Sequence, residues 1–506
     1  MTWWGDLCAL RNIILRRVDL FWWTILLIVM CRLVMMVVVP LTDPSEARYA
    51  EIARVMAETN DWVTPWIKPD VPFWGKPPAS FWAQALSIKF FGVTEFAVRL
   101  PALLASLFTL VILFLFTRAM VGVASARWSL LVYGGSLLPF VMGGVVLTDP
   151  FLVLGTTWIM TGVFMAPRSQ SWYWRYGAFL GASIGLLAKG PLVLVLAGGS
   201  ILPWLLFSKG GFRALAAQPW LKGILLVSII TLPWYVAAEI KTPGFLYYFL
   251  VGEHLLRFIE PGWAGDLYGG AHDRARGTIW LYYVAATFPW GVWLLYRIFS
   301  SIRSSSDVSY EVLGRLRQPL NLYLLGWALF TPLFFTMSGN ILWTYVFPAL
   351  PAFSVLVGCS ISRRLSERGQ ILDAVTAVVP IILLGLAIYV VQTPAILKSE
   401  KTLALYLAQQ GELSNTVFLD QPTSSMRFYS GDSIETLSFN DFESRILELE
   451  SSPKYVAIKN RQKNAVKVLL EQNYDLVRTS KEVSLYQQKP EKRVAKEEIV
   501  PPSFEG

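Results

Sequence analysis

Ionisable residues sit where apolar runs end, in short motifs: Asp43 and Glu46 in "LTDPSEARYAEI", Lys76 in "WGKPP", Asp149 in "LTDP", Lys189 in "LLAKGP", and Glu253, His254 and Arg257 in "GEHLLRF". A charge at membrane depth is costly and is by default functional. Carboxylates beside fixed cations suit group transfer from a phosphate-linked donor. The carboxylate takes the proton of an attacking hydroxyl, and the cations, with Arg274 and Arg276 as further candidates, stabilise the departing phosphate. Each residue also has a structural reading. Asp43, Pro44 and Glu46 match an aspartate N-cap, a first-turn proline and an acid at the third position. Arg48 and Glu51 are spaced to pair. Asp149 precedes Pro150 and suits a helix cap. Lys76 and Lys189 suit snorkelling anchors, and Glu253 with Arg257 an i, i+4 pair. His254 and His272, the 2 histidines of the chain, fall in one loop, as a metal ligand or a proton carrier would.

These residues must be positioned by membrane helices. The chain of 506 residues is 54% hydrophobic and 16% charged, and its mean hydropathy of +0.48 excludes an ordinary soluble protein. Its 21 tryptophans and 20 tyrosines suit repeated crossings of the membrane interface. Apolar runs fall near 19–41, 97–121, 126–147, 150–167, 173–188, 190–208, 220–240, 278–299, 320–337, 341–360 and 371–391. With the short segment 78–92 they predict a polytopic α-helical protein of about 11–13 spans. No small-residue cleavage site follows the first run, which predicts a retained helix.

The net charge of +9 comes largely from Lys and Arg in alternate short loops, and no nucleic-acid motif accompanies it. Arg11, Arg16 and Arg17, then Arg118 and Arg127, Arg168 and Arg175, Lys209 to Lys222, Arg297 to Arg317, and Arg363, Arg364 and Arg368 belong to the cytoplasmic side. The opposite face receives a first loop at 42–96, a second at 241–277, the turns near 148, 189 and 339, and everything after 392, hence every motif above. The predicted domains are a membrane domain at 1–394, a small α/β domain at 395–489 and a disordered tail at 490–506. In the α/β domain, helical patterns at 399–410, 440–450 and 461–472 alternate with the strands "NTVFLD", "KYVAIK", "YDLVRT" and "VSLYQQ". Cys8, Cys31 and Cys359 lie outside the outward loops, so no disulfide framework is expected.

Read in order, "DPSEARYAEIARVMAETNDWVTP", "FWGKPPASFWAQALSIKFFG", "EFAVRLPALL", "LTDP", "LLAKGP", "GEHLLRF", "FPW" and "TYVFPALPAF" resemble the polyprenyl-phosphate-dependent glycosyltransferases of the GT-C superfamily. The likeness is to the aminoarabinose transferase (ArnT)-like and protein O-mannosyltransferase-like members, over about residues 20–360. It implies the GT-C fold and a bacterial inner-membrane location, with the cytoplasmic N-terminus and a periplasmic C-terminal domain. The implied reaction is an inverting transfer of a sugar from undecaprenyl phosphate to a lipid A, glycan or protein acceptor. A lipid-linked sugar transporter or flippase is the alternative, which one-sided charges and the lack of visible inverted halves count against.

The resemblance places the catalytic base among the first-loop acids and the donor phosphate on Lys76, Arg257 and Tyr345; from the residues themselves, Asp149 is a further catalytic candidate and Lys189 a further phosphate-binding one. Where relatives carry adjacent Asp and Glu, this chain has Ser45 before Glu46 and the aspartate at Asp43, so either acid is a candidate. Asp43, outside the first helical turn, has the freer reach. Relatives bind a divalent metal through an acid before the lysine and a loop histidine. Here that acid is Gly75, which leaves His254 and Glu253 as the metal candidates. Ile341 and Trp343 replace a lysine and a proline of the aminoarabinose transferases, which implies a different sugar or acceptor.

Overall fold

The structure is a computed structural model that describes residues 3–68, 70–260, 262–269, 272–304, 318–363, 369–447 and 452–490. The tail from residue 491 lies outside the described residues, as do the basic positions Arg315, Arg317, Arg364 and Arg368. The chain divides into two compact units, Met1–Met36 with Met56–Gly385, and Val37–Val55 with Leu386–Gly506.

In the first unit and its flanks the backbone is nearly all helical, because in lipid every N–H and C=O must be satisfied within the segment. Among the described residues seven helices are long and apolar enough to cross a membrane: Leu20–Val38, Glu95–Met120, Asp149–Arg168, Trp220–Lys241, Pro319–Thr336, Trp343–Ser362 and Ala374–Gln392. The pair Thr278–Ala286 and Trp290–Ser300, bent by 106°, makes an eighth if it is one crossing. The chain is a multi-pass membrane protein. Among the described residues, chain breaks divide some of the expected apolar runs into shorter helices. The run 126–147 divides into Val123–Gly134 and Leu137–Met142. The runs 173–188 and 190–208 yield helices of 13 and 16 residues, Gly177–Lys189 and Leu192–Phe207, parted at Gly190 and Pro191. The segment 78–92 forms the helix Ala79–Phe91.

Local chemistry fixes where the helices start and how they pack. Thr94 caps Glu95–Met120 by accepting from Ala97 N at 3.1 Å, with Glu95 in the first turn and Arg118 in the last, as the helix dipole favours. Helix Gly177–Lys189 lies antiparallel to Asp149–Met165 through small residues. A Cβ on Gly181 would sit 2.5 Å from the Gly155 carbonyl oxygen, and one on Gly155 would sit 2.6 Å from that of Gly181, so only hydrogen fits. This approach sets Asp149, first residue of one helix, beside Lys189, last of the other. Further into the unit the rings of Phe164, Trp204 and Tyr323 meet at centroid distances of 4.9 to 5.8 Å.

The second unit is an α/β fold. Its five strands lie in the order Glu435–Leu437, Thr416–Leu419, Tyr455–Lys459, Val483–Gln488, Tyr474–Thr479. The first three run parallel, and Val483–Gln488 is antiparallel to both of its neighbours. Apolar side chains cover both faces, with Leu403, Leu407, Phe418 and Leu485 in one cluster and Val417, Phe442, Val456 and Leu470 in another. The expected strands are present. Strand Glu435–Leu437 and helix Ser424–Ser430 are additions that the sequence reading lacked. Segment 37–55 also belongs to this unit: Asp43 N donates to Lys398 O at 2.8 Å and Leu41 N to the Tyr429 hydroxyl at 2.7 Å.

Candidate active site

Seven of the expected site residues converge within the first unit. Lys76 follows a two-stranded hairpin, Trp66–Lys68 with Val71–Pro72. Glu253 and His254 lie on a π-helix, Tyr248–Leu256, a wide turn that is rare and concentrated at functional sites. Arg257 begins the next helical turn. Glu253 receives Lys76 Nζ at 3.1 Å and Arg257 Nη1 at 3.0 and 3.1 Å. The Arg257 Nε approaches Asp266 at 3.4 Å. Burial alone would raise the Glu253 carboxyl, but Lys76 and Arg257 together hold it below the usual glutamate range.

A second ion pair adjoins the first. Lys189 Nζ donates to Asp149 Oδ1 at 2.8 Å and lies 5.6 Å from the centroid of the Tyr345 ring. Tyr345 in turn is close enough to Arg257 to act on its charge. His254 closes the group: its Nε2 meets the Lys189 carbonyl oxygen at 2.9 Å and its Nδ1 that of Phe249 at 2.7 Å. Gly190 makes this approach possible at φ +73°, where a Cβ would lie 2.6 Å from the Phe249 ring. Lys76 and Lys189 are therefore ion-paired residues of a site, beyond the snorkelling alternative. Asp149 makes no side-chain cap, and its carboxylate goes to Lys189.

The metal expectation on His254 and Glu253 is corrected. Both ring nitrogens of His254 are occupied by backbone carbonyls, Glu253 is bound by two cations, and His272 is exposed with its backbone tied to Asn340 and Ile341. Among the described residues no group of three His, Cys, Asp or Glu side chains is placed to hold a metal ion. The residues present do not fit a metal. Burial also pulls the His254 pKa below its ordinary value, against its two carbonyl partners. Arg274 and Arg276 are exposed and take no part in these ion pairs.

Asp43 and Glu46 belong to the second unit. The Asp43 carboxylate does not cap the helix Ser45–Thr59. It accepts from Ser425 N at 3.2 and 3.3 Å and from the Ser425 hydroxyl, at the start of helix Ser424–Ser430. Burial raises its pKa against those bonds. Glu46, itself buried, reaches back to Thr42 N at 3.3 Å and Thr42 Oγ1 at 3.4 Å. Glu51, expected to pair with Arg48, makes a doubly hydrogen-bonded pair with Arg54, with both distances 2.7 Å.

Sequence reasoning missed Asp266, Tyr248 and Tyr268, whose hydroxyls and carboxylate brace the loop after the π-helix. Nothing in their spacing marks them. The glycines of "GAFLGASIG", every fourth residue from Gly177 to Gly185, were a readable signal for the close helix pair that joins Asp149 to Lys189.

Residues 17–249 match the family described as dolichyl-phosphate-mannose-protein mannosyltransferase. The undecaprenyl phosphate-alpha-4-amino-4-deoxy-L-arabinose arabinosyl transferase of Edwardsiella ictaluri is 27% identical over 340 residues, which are 66% of this chain and 57% of that protein. The chain thus spans a little over half the length of the curated relatives it matches. Among solved structures, ArnT from Cupriavidus metallidurans bound to undecaprenyl phosphate aligns with a TM-score of 0.72 at 16% identity, covering 93% of this chain and 98% of that one. The archaeal oligosaccharyltransferase AglB from Archaeoglobus fulgidus aligns at 0.50 and 10% identity, over 92% of this chain and 74% of that one. These alignments show that the chain shares the fold of ArnT.

Proposed function

We propose that the protein is an inverting glycosyltransferase that moves a sugar from a polyprenyl phosphate, undecaprenyl phosphate in bacteria, to a lipid A, glycan or protein acceptor. The observation that carries this reading is the convergence of Lys76, Arg257, Lys189 and Tyr345 in one half-buried group. An acceptor hydroxyl attacks the anomeric carbon opposite the phosphate, and the bond from that carbon to the phosphate oxygen breaks. The electron pair leaves with the phosphate, whose growing charge the cations stabilise. The hydroxyl proton goes to a carboxylate. Glu46 is the candidate for that base, because it holds the acidic position directly before the "ARYAE" run that the resemblance points to, while the Asp43 carboxylate is engaged at the start of helix Ser424–Ser430. Asp149 orients Lys189.

Basic loops on one side support an inner-membrane protein with a cytoplasmic N-terminus, so that the site and the α/β domain face the periplasm. The test is a reconstituted reaction. The purified chain in liposomes receives a polyprenyl-phosphate sugar and an envelope lipid and glycan extract, and products are read by mass spectrometry. The reading expects a glycosylated acceptor with inverted anomeric configuration. Lipid movement across the bilayer with no glycosylated product would establish transport instead.

A further inference from the structure

Four alternating charges form one row: Lys76, Glu253, Arg257 and Asp266. The carboxylates lie deeper than the cations. The Glu253 and Asp266 side chains are 6% and 8% exposed, against 19% and 20% for Lys76 and Arg257. Two cation heads that approach one carboxylate within about 3 Å would otherwise repel each other. Arg257 is hydrogen-bonded at Nη1 by Glu253, and Asp266 lies 3.4 Å from its Nε as an ion-pair partner, so one carboxylate stands on each side of the guanidinium.

The same loop also braces Lys76. Asp266 accepts from Tyr268 N at 3.1 Å. The Tyr268 hydroxyl donates to Pro72 O at 2.9 Å and accepts from Trp74 N at 3.0 Å, so it clasps the strand that leads into Lys76. The Tyr248 hydroxyl accepts from Leu267 N at 3.2 Å and reaches Glu253 at 3.4 Å. One loop, 266–268, thereby sets the position of both cations.

Building on the donor reading above, we propose that Glu253, with Asp266 behind Arg257, is a positioning residue that fixes Lys76 and Arg257 as one two-pronged receptor for the phosphate of the lipid-linked donor. Glu253 does not touch the donor. It neutralises the cations in the empty site and aims their remaining N–H groups at one anion. An amide at this position accepts from one cation and presents its own N–H groups to the other, so the pair splits. This assigns Glu253 the work of an orienting carboxylate in place of a metal ligand.

The test uses the full chain in nanodiscs, with farnesyl phosphate and farnesol as probes and the unfolding midpoint as the control for folding. The wild type should bind farnesyl phosphate more tightly than farnesol. Glu253→Gln should weaken farnesyl phosphate by about tenfold or more, equivalent to about 1.4 kcal/mol, with farnesol unchanged. Glu253→Asp should recover part of the loss, and Asp266→Asn should produce a smaller loss of the same kind. Equal or tighter binding of farnesyl phosphate by a folded Glu253→Gln protein overturns the proposal and leaves the donor reading standing. If Glu253→Gln does not fold, unchanged phosphate preference in Asp266→Asn and Glu253→Asp overturns it equally. A wild type that does not distinguish the two probes overturns the donor reading and this one with it.

Discussion

Replacing Asp149 with Asn should destabilise the membrane unit far more than its removal of one charge would do at a surface. The Lys189–Asp149 contact is 2.8 Å, and the two side chains are only 10% and 9% exposed. Removing one partner of a buried pair leaves the other charge uncompensated at a cost of roughly 3–5 kcal/mol. The residual exposure of both groups places the expected loss at the lower end, about 3 kcal/mol. Removing both charges, as Asp149→Asn with Lys189→Met, avoids the stranded ammonium and should cost only about 1 kcal/mol. Lys189→Met alone strands the Asp149 carboxylate and should cost as much as Asp149→Asn, so the double variant should lose about 5 kcal/mol less than the two single losses taken together. An exposed pair in the α/β unit serves as control: Lys467 and Glu471, at 3.8 Å and 62% and 66% exposed, should show less than about 0.5 kcal/mol. Equilibrium unfolding in mixed detergent micelles, followed by tryptophan fluorescence, supplies the four free energies. If Asp149→Asn costs no more than Glu471→Gln, or if the cycle is additive, the pair is not the buried coupling described and the helix approach through Gly155 and Gly181 does not set the site.

Two further outcomes separate the acids and the pH response. Glu46→Gln should lower turnover by roughly 10²–10⁴-fold, as loss of a general base does, whereas Asp43→Asn should keep turnover within about tenfold and lower the stability of the α/β unit by about 1–3 kcal/mol through weakened bonds to Ser425. Steady-state transfer rates and hydrogen exchange at helix Ser424–Ser430 check both, and the opposite ranking of rates would return the base to Asp43. Glu400 is fully buried, and burial pushes its carboxyl from 4.5 up to about 8, with Ser480 opposing. Because the folded-state pKa is the raised one, the unfolded chain releases this proton first. The contribution is fully present below pH 4.5 and is lost as pH rises toward about 8. At 1.36 kcal/mol per pH unit the loss is on the order of 4 kcal/mol. Exchange protection of strands Thr416–Leu419 and Tyr455–Lys459 should therefore fall between pH 5 and 8 in the wild type and fall much less in Glu400→Gln. The same fall in the variant would remove Glu400 as the cause.

Much of this architecture is legible in the sequence because lipid leaves little choice. Apolar runs become helices, and charges at their ends are too costly to be incidental. Lys76, Asp149, Lys189, Glu253, His254 and Arg257 could thus be selected from the sequence, and Tyr345 through the family resemblance. Their partners were harder to select. Period-3.6 reasoning paired Arg48 with Glu51 and capped a helix with Asp43, while the fold gives Glu51 to Arg54 and Asp43 to Ser425, which lies 382 residues away. Only tertiary structure supplies a contact of that span. His254 looked like a metal ligand because histidine is rare in this chain, yet the π-turn and Gly190 deliver two carbonyls to its ring. Hydropathy does not register a break such as Gly190–Pro191, so where one apolar helix ends and the next begins was not legible. The α/β unit was read well strand by strand, since alternation and β-branched residues are local signals. The short strand Glu435–Leu437 carries two exposed positions and no such pattern.

The most direct test of the account is turnover by Lys76→Met and Arg257→Met in the reconstituted transfer reaction, with folding verified by unfolding midpoint. If these cations hold the departing phosphate, each substitution should lower turnover by at least about 10²-fold, and Arg257→Lys, which keeps the charge and loses the planar guanidinium, should fall between. Wild-type turnover in either Met variant would contradict the assignment of the site.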